Sequence, residues 1–136
     1  MKILLSGTAS DSHTWNLVYL RLFLEEHGHE VVGLGPCVDA GLLAEACLRH
    51  TPDAVVLSSV NGHGYRDGLD AVRALRAEPA LAALPVVLGG KLGVVGRRQD
   101  EELQRLLDAG CDAVLGDDVD ALRAFLAARA RTEVLA

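Results

Sequence analysis

The length of the chain, 136 residues, is that of a single domain, and we expect residues 1–136 to form one. Half of the residues are hydrophobic, which is enough for a buried core, although aromatic residues make up only 4%. The formal net charge of −6 argues against nucleic acid or an anionic membrane as a partner.

The start of the chain is a short apolar stretch, residues 1–5, that is typical of a first strand rather than of a signal peptide. No apolar run approaches the roughly 20 residues that a membrane span needs. We therefore expect a cytoplasmic protein. Three cysteines without metal-ligand spacing, Cys37, Cys47 and Cys111, predict no disulfide framework there, and we expect all three to be small buried hydrophobic residues.

Short apolar segments alternate with longer amphipathic segments along the whole chain. The predicted strands cover residues 2–6, 30–34, 54–58, 85–88 and 113–115, and the predicted helices cover residues 14–27, 39–50, 65–77, 100–109 and 118–129. Gly28 and Gly110 are expected to end two of the helices, and Asp39 is expected to be an N-cap. The acidic run at residues 117–120 is expected to cap the last helix.

Five strand–helix units with continuously apolar strands predict an α/β protein whose parallel sheet is covered on both faces. We expect a flavodoxin-like (Rossmann-type), doubly wound five-stranded sheet with strand order 2-1-3-4-5. Such sheets bind ligands beyond the carboxyl ends of the strands, at the switch point between strands one and three. This rule nominates three loops, residues 7–16, 59–64 and 89–97, all polar, glycine-rich or both.

The first of these loops carries Asp11 and His13, two positions apart. An imidazole can bind a transition metal through one nitrogen while a carboxylate accepts a hydrogen bond from the other, which fixes the tautomer and raises the basicity of the ligand. One histidine cannot hold a bare metal ion, but it suffices when the metal arrives inside a macrocycle. The alternative interpretation is that Asp11 is a helix N-cap and His13 an exposed residue of the first turn.

Three spaced elements carry a resemblance to a known family, the cobalamin-binding domains that hold their cofactor base-off and His-on. That family shares Asp-x-His-x-x-Gly, Ser-x-Leu and Gly-Gly, each at the end of a strand. This sequence is similar over nearly its whole length, with Asp11-x-His13-x-x-Asn16, then Ser58-Ser59-Val60, then Gly89-Gly90. Within the family, the small subunits of glutamate mutase (methylaspartate mutase) are the most similar, through Ser58 to Gly64 and the segment that follows Gly89.

The resemblance implies roles for individual residues. His13 is the expected lower axial ligand of cobalt, and Asp11 is expected to orient it. Ser58 is expected to hydrogen-bond the displaced benzimidazole tail and Val60 to pack on it. The glycines of the second and third elements are expected to let the backbone approach the cofactor. The expected cofactor-binding residues are Ser10, Asp11, Ser12, His13, Thr14, Trp15, Asn16, Ser58, Val60, Asn61, Gly62, His63, Gly64, Gly89, Gly90 and Lys91.

The function that the resemblance implies is that of the cobalamin-binding subunit of an adenosylcobalamin-dependent carbon-skeleton mutase, an isomerase converting glutamate to 3-methylaspartate by radical chemistry. The chain is too short to contain a barrel for the substrate, so a separate large catalytic subunit is the expected partner, and the chain alone is expected to be inactive.

Three other functions stay open. One is a corrinoid carrier for methyl transfer, although such carriers usually have a helical bundle before the sheet and the first strand begins here at Lys2. Another is a degenerate partner domain without cofactor, which Asn16 in place of the motif glycine allows. The last is a signalling receiver domain, but a receiver needs an aspartate where Ser58 and Ser59 stand. His63 and Lys91 could contact the cofactor or the partner, or could be ordinary solvated residues.

Overall fold

The computed structural model describes residues 1–9, 14–59, 64–90, 99–116 and 118–135. Strands and helices alternate along the chain as the sequence predicts. In chain order they are β1 (Lys2–Gly7), α1 (Trp15–Glu26), β2 (Glu30–Gly35), α2 (Ala40–His50), β3 (Ala54–Ser59), α3 (Gly64–Ala77), β4 (Val86–Gly90), α4 (Gln99–Ala109), β5 (Ala113–Gly116) and α5 (Val119–Leu135). A short 3₁₀ turn, Pro79–Leu81, precedes β4 and was not predicted.

The five strands form one sheet in the order β2-β1-β3-β4-β5, and every neighbouring pair is parallel. This confirms the predicted flavodoxin-like α/β fold and its strand order. Because β1 is followed by β2 on one side of the sheet and β3 by β4 on the other, the connections from the carboxyl ends of β1 and β3 run in opposite directions. That divergence is the switch point at which sheets of this kind bind ligands.

Alternate side chains of each strand pack into two separate cores, one on each face of the sheet. Helices α2, α3 and α4 cover the face that presents Leu4, Val55, Leu57 and Leu88. Helices α1 and α5 cover the other face, which presents Ile3, Leu5, Val56 and Val87. Burial on both faces explains why the strands are continuously apolar rather than alternating.

The helix ends follow the predicted capping chemistry. The backbone N–H of Leu42 donates to Asp39 Oδ1 over 2.8 Å at the start of α2. The N–H of Ala121 donates to Asp118 Oδ1 over 3.0 Å at the start of α5. These bonds confirm both capping predictions, because each carboxylate satisfies an N–H that has no partner within its helix.

Element boundaries differ from the prediction at two functionally relevant places. Strand β4 includes Gly89 and Gly90, which pair with Ser58 and Ser59 of β3 rather than following the strand. Helix α5 continues to Leu135, since residues 130–135 contain no glycine or proline that would end it.

The cysteine prediction is right for two residues and wrong for the third. Cys47 and Cys111 are buried, as expected for small hydrophobic residues. Cys37 is exposed, with a backbone φ of 56° in the turn after β2. The turn that follows Pro36 places Cys37 outside both cores. Among the helices that the structure describes, none has the length and apolarity to cross a bilayer.

The guanidinium of Arg76 ties α3 to the end of the sheet opposite the switch point. Its Nη2 donates to the carbonyl of Gly110 over 2.7 Å and its Nη1 to the carbonyl of Leu81 over 2.8 Å. The carboxylate of Asp112 forms two ion pairs, each at 3.1 Å. Its Oδ2 accepts from Arg76 Nη2, and its Oδ1 accepts from Arg129 Nη2 of α5. Helices α3 and α5, on opposite faces, are therefore joined through one carboxylate.

Candidate functional site

The carboxyl ends of the three central strands meet in register. Gly7 of β1 lies beside Ser58 of β3, and Ser58 lies beside Gly89 of β4. One position further along, Ser59 pairs with Gly90. The structure thus brings the serine and glycine elements of the predicted site together at the switch point.

A cavity opens beside these residues, between the sheet and the two helices α1 and α5. The open space within it amounts to about 560 Å³, and this volume includes the solvent-facing mouth. Its lining is formed by Asn16, Tyr19, Leu20, Val56, Leu57, Ser58, Val87, Gly89, Gly90, Leu115, Asp118, Val119 and Leu122. Most of these side chains are apolar, so the cavity suits a largely apolar group.

The polar contact within this lining joins Asn16 to Ser58. Asn16 Nδ2 donates a hydrogen bond to Ser58 Oγ, across the boundary between α1 and β3. Ser58 is only 4% exposed, while Asn16 is half-buried. The residue that stands at the motif glycine therefore reaches the motif serine directly.

Gly90 is required by the fold itself. Its φ is +93°, a conformation that L-residues rarely adopt, and a Cβ there would overlap the carbonyl oxygen of Ser59. From the sequence, this glycine was expected to leave space for a ligand, and the structure gives a second reason for it within the protein. Gly89, by contrast, lines the cavity without a positive φ.

Thr8, directly after β1, was not among the predicted site residues. It is 2% exposed, and its Oγ1 has no hydrogen-bond partner among the described residues. A buried hydroxyl without a partner is costly, and such groups are uncommon outside functional sites. Sequence gives little signal for it beyond its place in the first nominated loop.

The remaining predicted site residues fall into three groups. Thr14 and Trp15 are exposed at the start of α1, with Trp15 86% exposed. Gly64 begins α3. Outside the described residues lie Ser10, Asp11, Ser12, His13, Val60, Asn61, Gly62, His63 and Lys91.

The α5 wall of the cavity was not predicted from the sequence. Val119 and Leu122 lie on one helical face, and Leu115 precedes them on β5. Their spacing predicts a buried helix face but not which strands it covers. On α1, the i, i+3, i+4 spacing of Asn16, Tyr19 and Leu20 could have indicated a shared face.

Metal-binding capacity is limited in the part of the chain that the structure describes. No group of three or more His, Cys, Asp or Glu side chains there is arranged to hold a metal ion. Burial raises the pKa of the Cys47 thiol to about 11, and that of Cys111 also to about 11. Both thiols are therefore protonated near neutral pH.

Known proteins resemble this chain in sequence. The chain is 27% identical over 113 residues to the glutamate mutase sigma subunit of Fusobacterium nucleatum, covering 83% of this chain and 82% of the relative. It is 29% identical over 140 residues to glutamate mutase sigma subunit 2 of Haloarcula marismortui, covering 96% and 91%.

Solved structures resemble it in fold. A cobalamin-binding protein from Desulfitobacterium hafniense has a TM-score of 0.68 and 28% identity, and the match covers 83% of this chain but 51% of that one. The monomethylamine corrinoid protein of Methanosarcina barkeri has a TM-score of 0.71 at 19% identity, covering 93% and 57%. The receiver domain of a sensor histidine kinase from Pseudomonas aeruginosa has a TM-score of 0.65 at 18% identity, and the match covers 92% of this chain and 93% of that one. At identities of 19% and 18%, the similarity to the corrinoid protein and to the receiver domain concerns the fold alone.

Residues 1–126 match the family model of the B12 binding domain. That span includes both walls of the cavity, from Asn16 on α1 to Leu122 on α5. The chain belongs to the family of B12-binding domains.

Proposed function

We propose that this chain is the cobalamin-binding subunit of an adenosylcobalamin-dependent carbon-skeleton mutase of the glutamate to 3-methylaspartate type. The observation that carries the proposal is the cavity between α1, the sheet and α5, with Ser58 in its wall. The glutamate mutase sigma subunits that match most of the chain support the choice of reaction.

The cavity fits the nucleotide tail of a cobalamin held base-off. A benzimidazole is flat and apolar with one ring nitrogen to satisfy, and the lining is apolar with a buried hydroxyl at Ser58. Gly89 leaves space in the wall where the tail passes the end of β4. The Thr8 hydroxyl, which no described residue satisfies, lies at the same edge of the sheet and can receive a partner from the cofactor.

His13 is proposed as the lower axial ligand of cobalt, with Asp11 accepting a hydrogen bond from its other ring nitrogen. The two belong to the loop between β1 and α1, at the carboxyl end of the strand that pairs with Ser58. A carboxylate in that position fixes the tautomer that presents a lone pair to the metal. Thr14, Trp15 and the glycines around His63 are proposed to border the corrin from the same edge.

When bound, the cofactor supplies a cobalt–carbon bond that breaks homolytically to give a radical. The contribution of this chain is to bind the nucleotide tail, to present His13 to the metal, and to fix the ring relative to the sheet. A separate catalytic subunit is proposed to bind the substrate over the exposed face of the corrin. We place the assembly in the cytoplasm, where three free thiols, at Cys37, Cys47 and Cys111, suit the reducing conditions.

The experiment that tests this proposal is a visible-absorption titration with adenosylcobalamin, comparing the wild type with His13→Ala. We expect the wild type to convert the cofactor to its base-off, His-on spectrum and the variant to lack that spectrum. His27→Ala, at the far end of α1, is the matched control and is expected to behave as the wild type. An unchanged cofactor spectrum with the wild type up to about millimolar cofactor, both alone and with a glutamate mutase catalytic subunit, would overturn the proposal.

A further inference from the structure

We propose that Asn16 is a positioning residue that makes Ser58 a hydrogen-bond donor to the corrinoid's nucleotide base, so that the cavity selects a base with an unprotonated ring nitrogen. The inference rests on the proposed function and goes beyond it, because it concerns a residue that departs from the family motif. It assigns to this chain a way of distinguishing corrinoids by their tails.

The proposal rests on the hydrogen bonds that the Ser58 hydroxyl can form. A serine hydroxyl has one proton to donate and two lone pairs that accept. Asn16 Nδ2 donates to Ser58 Oγ and therefore uses a lone pair. Among the described residues none accepts the Ser58 proton, although the side chain is buried.

The surroundings of the pair place this proton in the cavity. Asn16 and Ser58 both line it, and the space is open while their hydrogen bond is formed. Of the other polar side chains in the lining, Asp118 caps α5 and Tyr19 is more than half exposed. The pair is therefore the polar part of a mostly apolar interior, and in such sites the few polar groups fix the orientation of the ligand.

The chemistry of asparagine explains why this residue can take the role. A glycine has no side chain with which to hold the hydroxyl, so the Ser58 proton can rotate among several directions. The amide Nδ2 can only donate, which directs the proton away from Asn16. A carboxylate of the same shape would do the opposite, because it accepts the Ser58 proton and removes it from the ligand.

The test compares the dissociation constants for cobalamin and for cobinamide, which lacks the nucleotide tail, measured by absorption titration. The variants are Asn16→Asp, Asn16→Ala and Ser58→Ala, with Leu22→Ala on the exposed side of α1 as the control. A hydrogen bond of ordinary strength corresponds to roughly a three- to tenfold change in affinity. We expect each of the three variants to weaken cobalamin binding by about that factor while cobinamide binding is unchanged, and Leu22→Ala to match the wild type.

Further measurements test whether Asn16 and Ser58 act together. The double variant Asn16→Ala with Ser58→Ala should bind cobalamin no more weakly than Ser58→Ala alone, since the two residues act as one unit. Wild-type selectivity in Asn16→Asp, or tighter cobalamin binding by Asn16→Ala, would overturn the positioning role and make Asn16 an obstruction. A wild type that binds neither corrinoid, alone or with the catalytic subunit, would overturn the proposed function itself.

Discussion

Asn16 of α1 and Ser58 of β3, 42 positions apart, are joined by a hydrogen bond from the amide Nδ2 to the hydroxyl oxygen. The position that is glycine in the family motif thus adds a tie between the first helix and the central strand of the sheet. The cavity remains open beside the asparagine, so the side chain forms part of its wall rather than filling it.

Gly90→Ala is expected to destabilise the protein severely. A Cβ at this position would collide with the carbonyl of Ser59, whose carbon would lie 2.9 Å away, in addition to the strain of a φ of +93°. Left-handed strain alone costs on the order of 1–3 kcal/mol, and the backbone collision adds to it. Chemical denaturation should show a loss of about 3 kcal/mol or more, or no folded protein.

Gly28→Ala separates the two contributions at Gly90. Gly28 has nearly the same φ, +88°, but a Cβ there meets nothing within 4 Å. We expect a loss of about 1 kcal/mol for this variant in the same measurement. Equal losses at the two glycines would mean that the contact with Ser59 is relieved by a backbone shift.

Arg76→Ala is expected to lower the free energy of unfolding by about 2–3 kcal/mol. The guanidinium satisfies the carbonyls of Leu81 and Gly110, and its removal leaves these acceptors and Asp112 with fewer donors. Arg73→Ala, exposed on the same helix, is the control and should change stability by less than about 0.5 kcal/mol. Arg76→Lys should recover little of the lost stability, because an ammonium cannot reproduce the several N–H donors that a planar guanidinium directs at separate acceptors.

Thiol labelling of the native protein at pH 8 is expected to modify one cysteine of three. Cys37 is exposed, whereas Cys47 and Cys111 are buried and have pKa values raised by burial to about 11. The thiolate is the reactive form, and about one thousandth of a thiol with that pKa is ionised at pH 8. Mass spectrometry after brief maleimide treatment should find one adduct, at Cys37, and three adducts after denaturation.

Thr8→Val is expected to stabilise the protein without ligand by about 1 kcal/mol. The two side chains have nearly the same shape, and the substitution removes a buried hydroxyl that no described residue satisfies. The control is Ser6→Ala in the preceding strand β1, where Ser6 Oγ donates to the Gly7 carbonyl over 2.8 Å, so that loss of this hydroxyl should not stabilise the protein.

The stability gained by Thr8→Val should be smaller when adenosylcobalamin is bound, because the cofactor can supply a partner that none of the described residues gives to the Thr8 hydroxyl. Thermal denaturation of both variants with and without cofactor measures this difference. An equal gain in the two states would mean that Thr8 does not contact the cofactor.

The sheet and its order could be predicted because the signal is local and repeated. Runs such as residues 54–58 are apolar throughout, and each is followed by an amphipathic helix with a capping residue such as Asp39. The sheet edge that carries Ser58 and Gly89 followed from the same rule. Cys37 was misjudged because its turn, rather than its residue type, determines its exposure.

The cavity wall could not be predicted from the sequence alone. Leu122 predicts a buried helix face, but the strand that this face covers depends on how α5 crosses the sheet. The Asn16–Ser58 bond depends likewise on the position of α1 relative to β3, which is set by packing between distant segments. Gly90 was predicted to contact the cofactor, and its steric role beside the Ser59 backbone was not predicted.

The two walls of the cavity come from the first and the last helix of the chain. During translation α1 and β3 leave the ribosome well before α5, whose Val119 and Leu122 complete the enclosure. Among the described residues, α5 and the end of β5 form the wall that faces Asn16 and Ser58. The cavity is therefore enclosed only when two segments that are far apart in the sequence have both packed against the sheet.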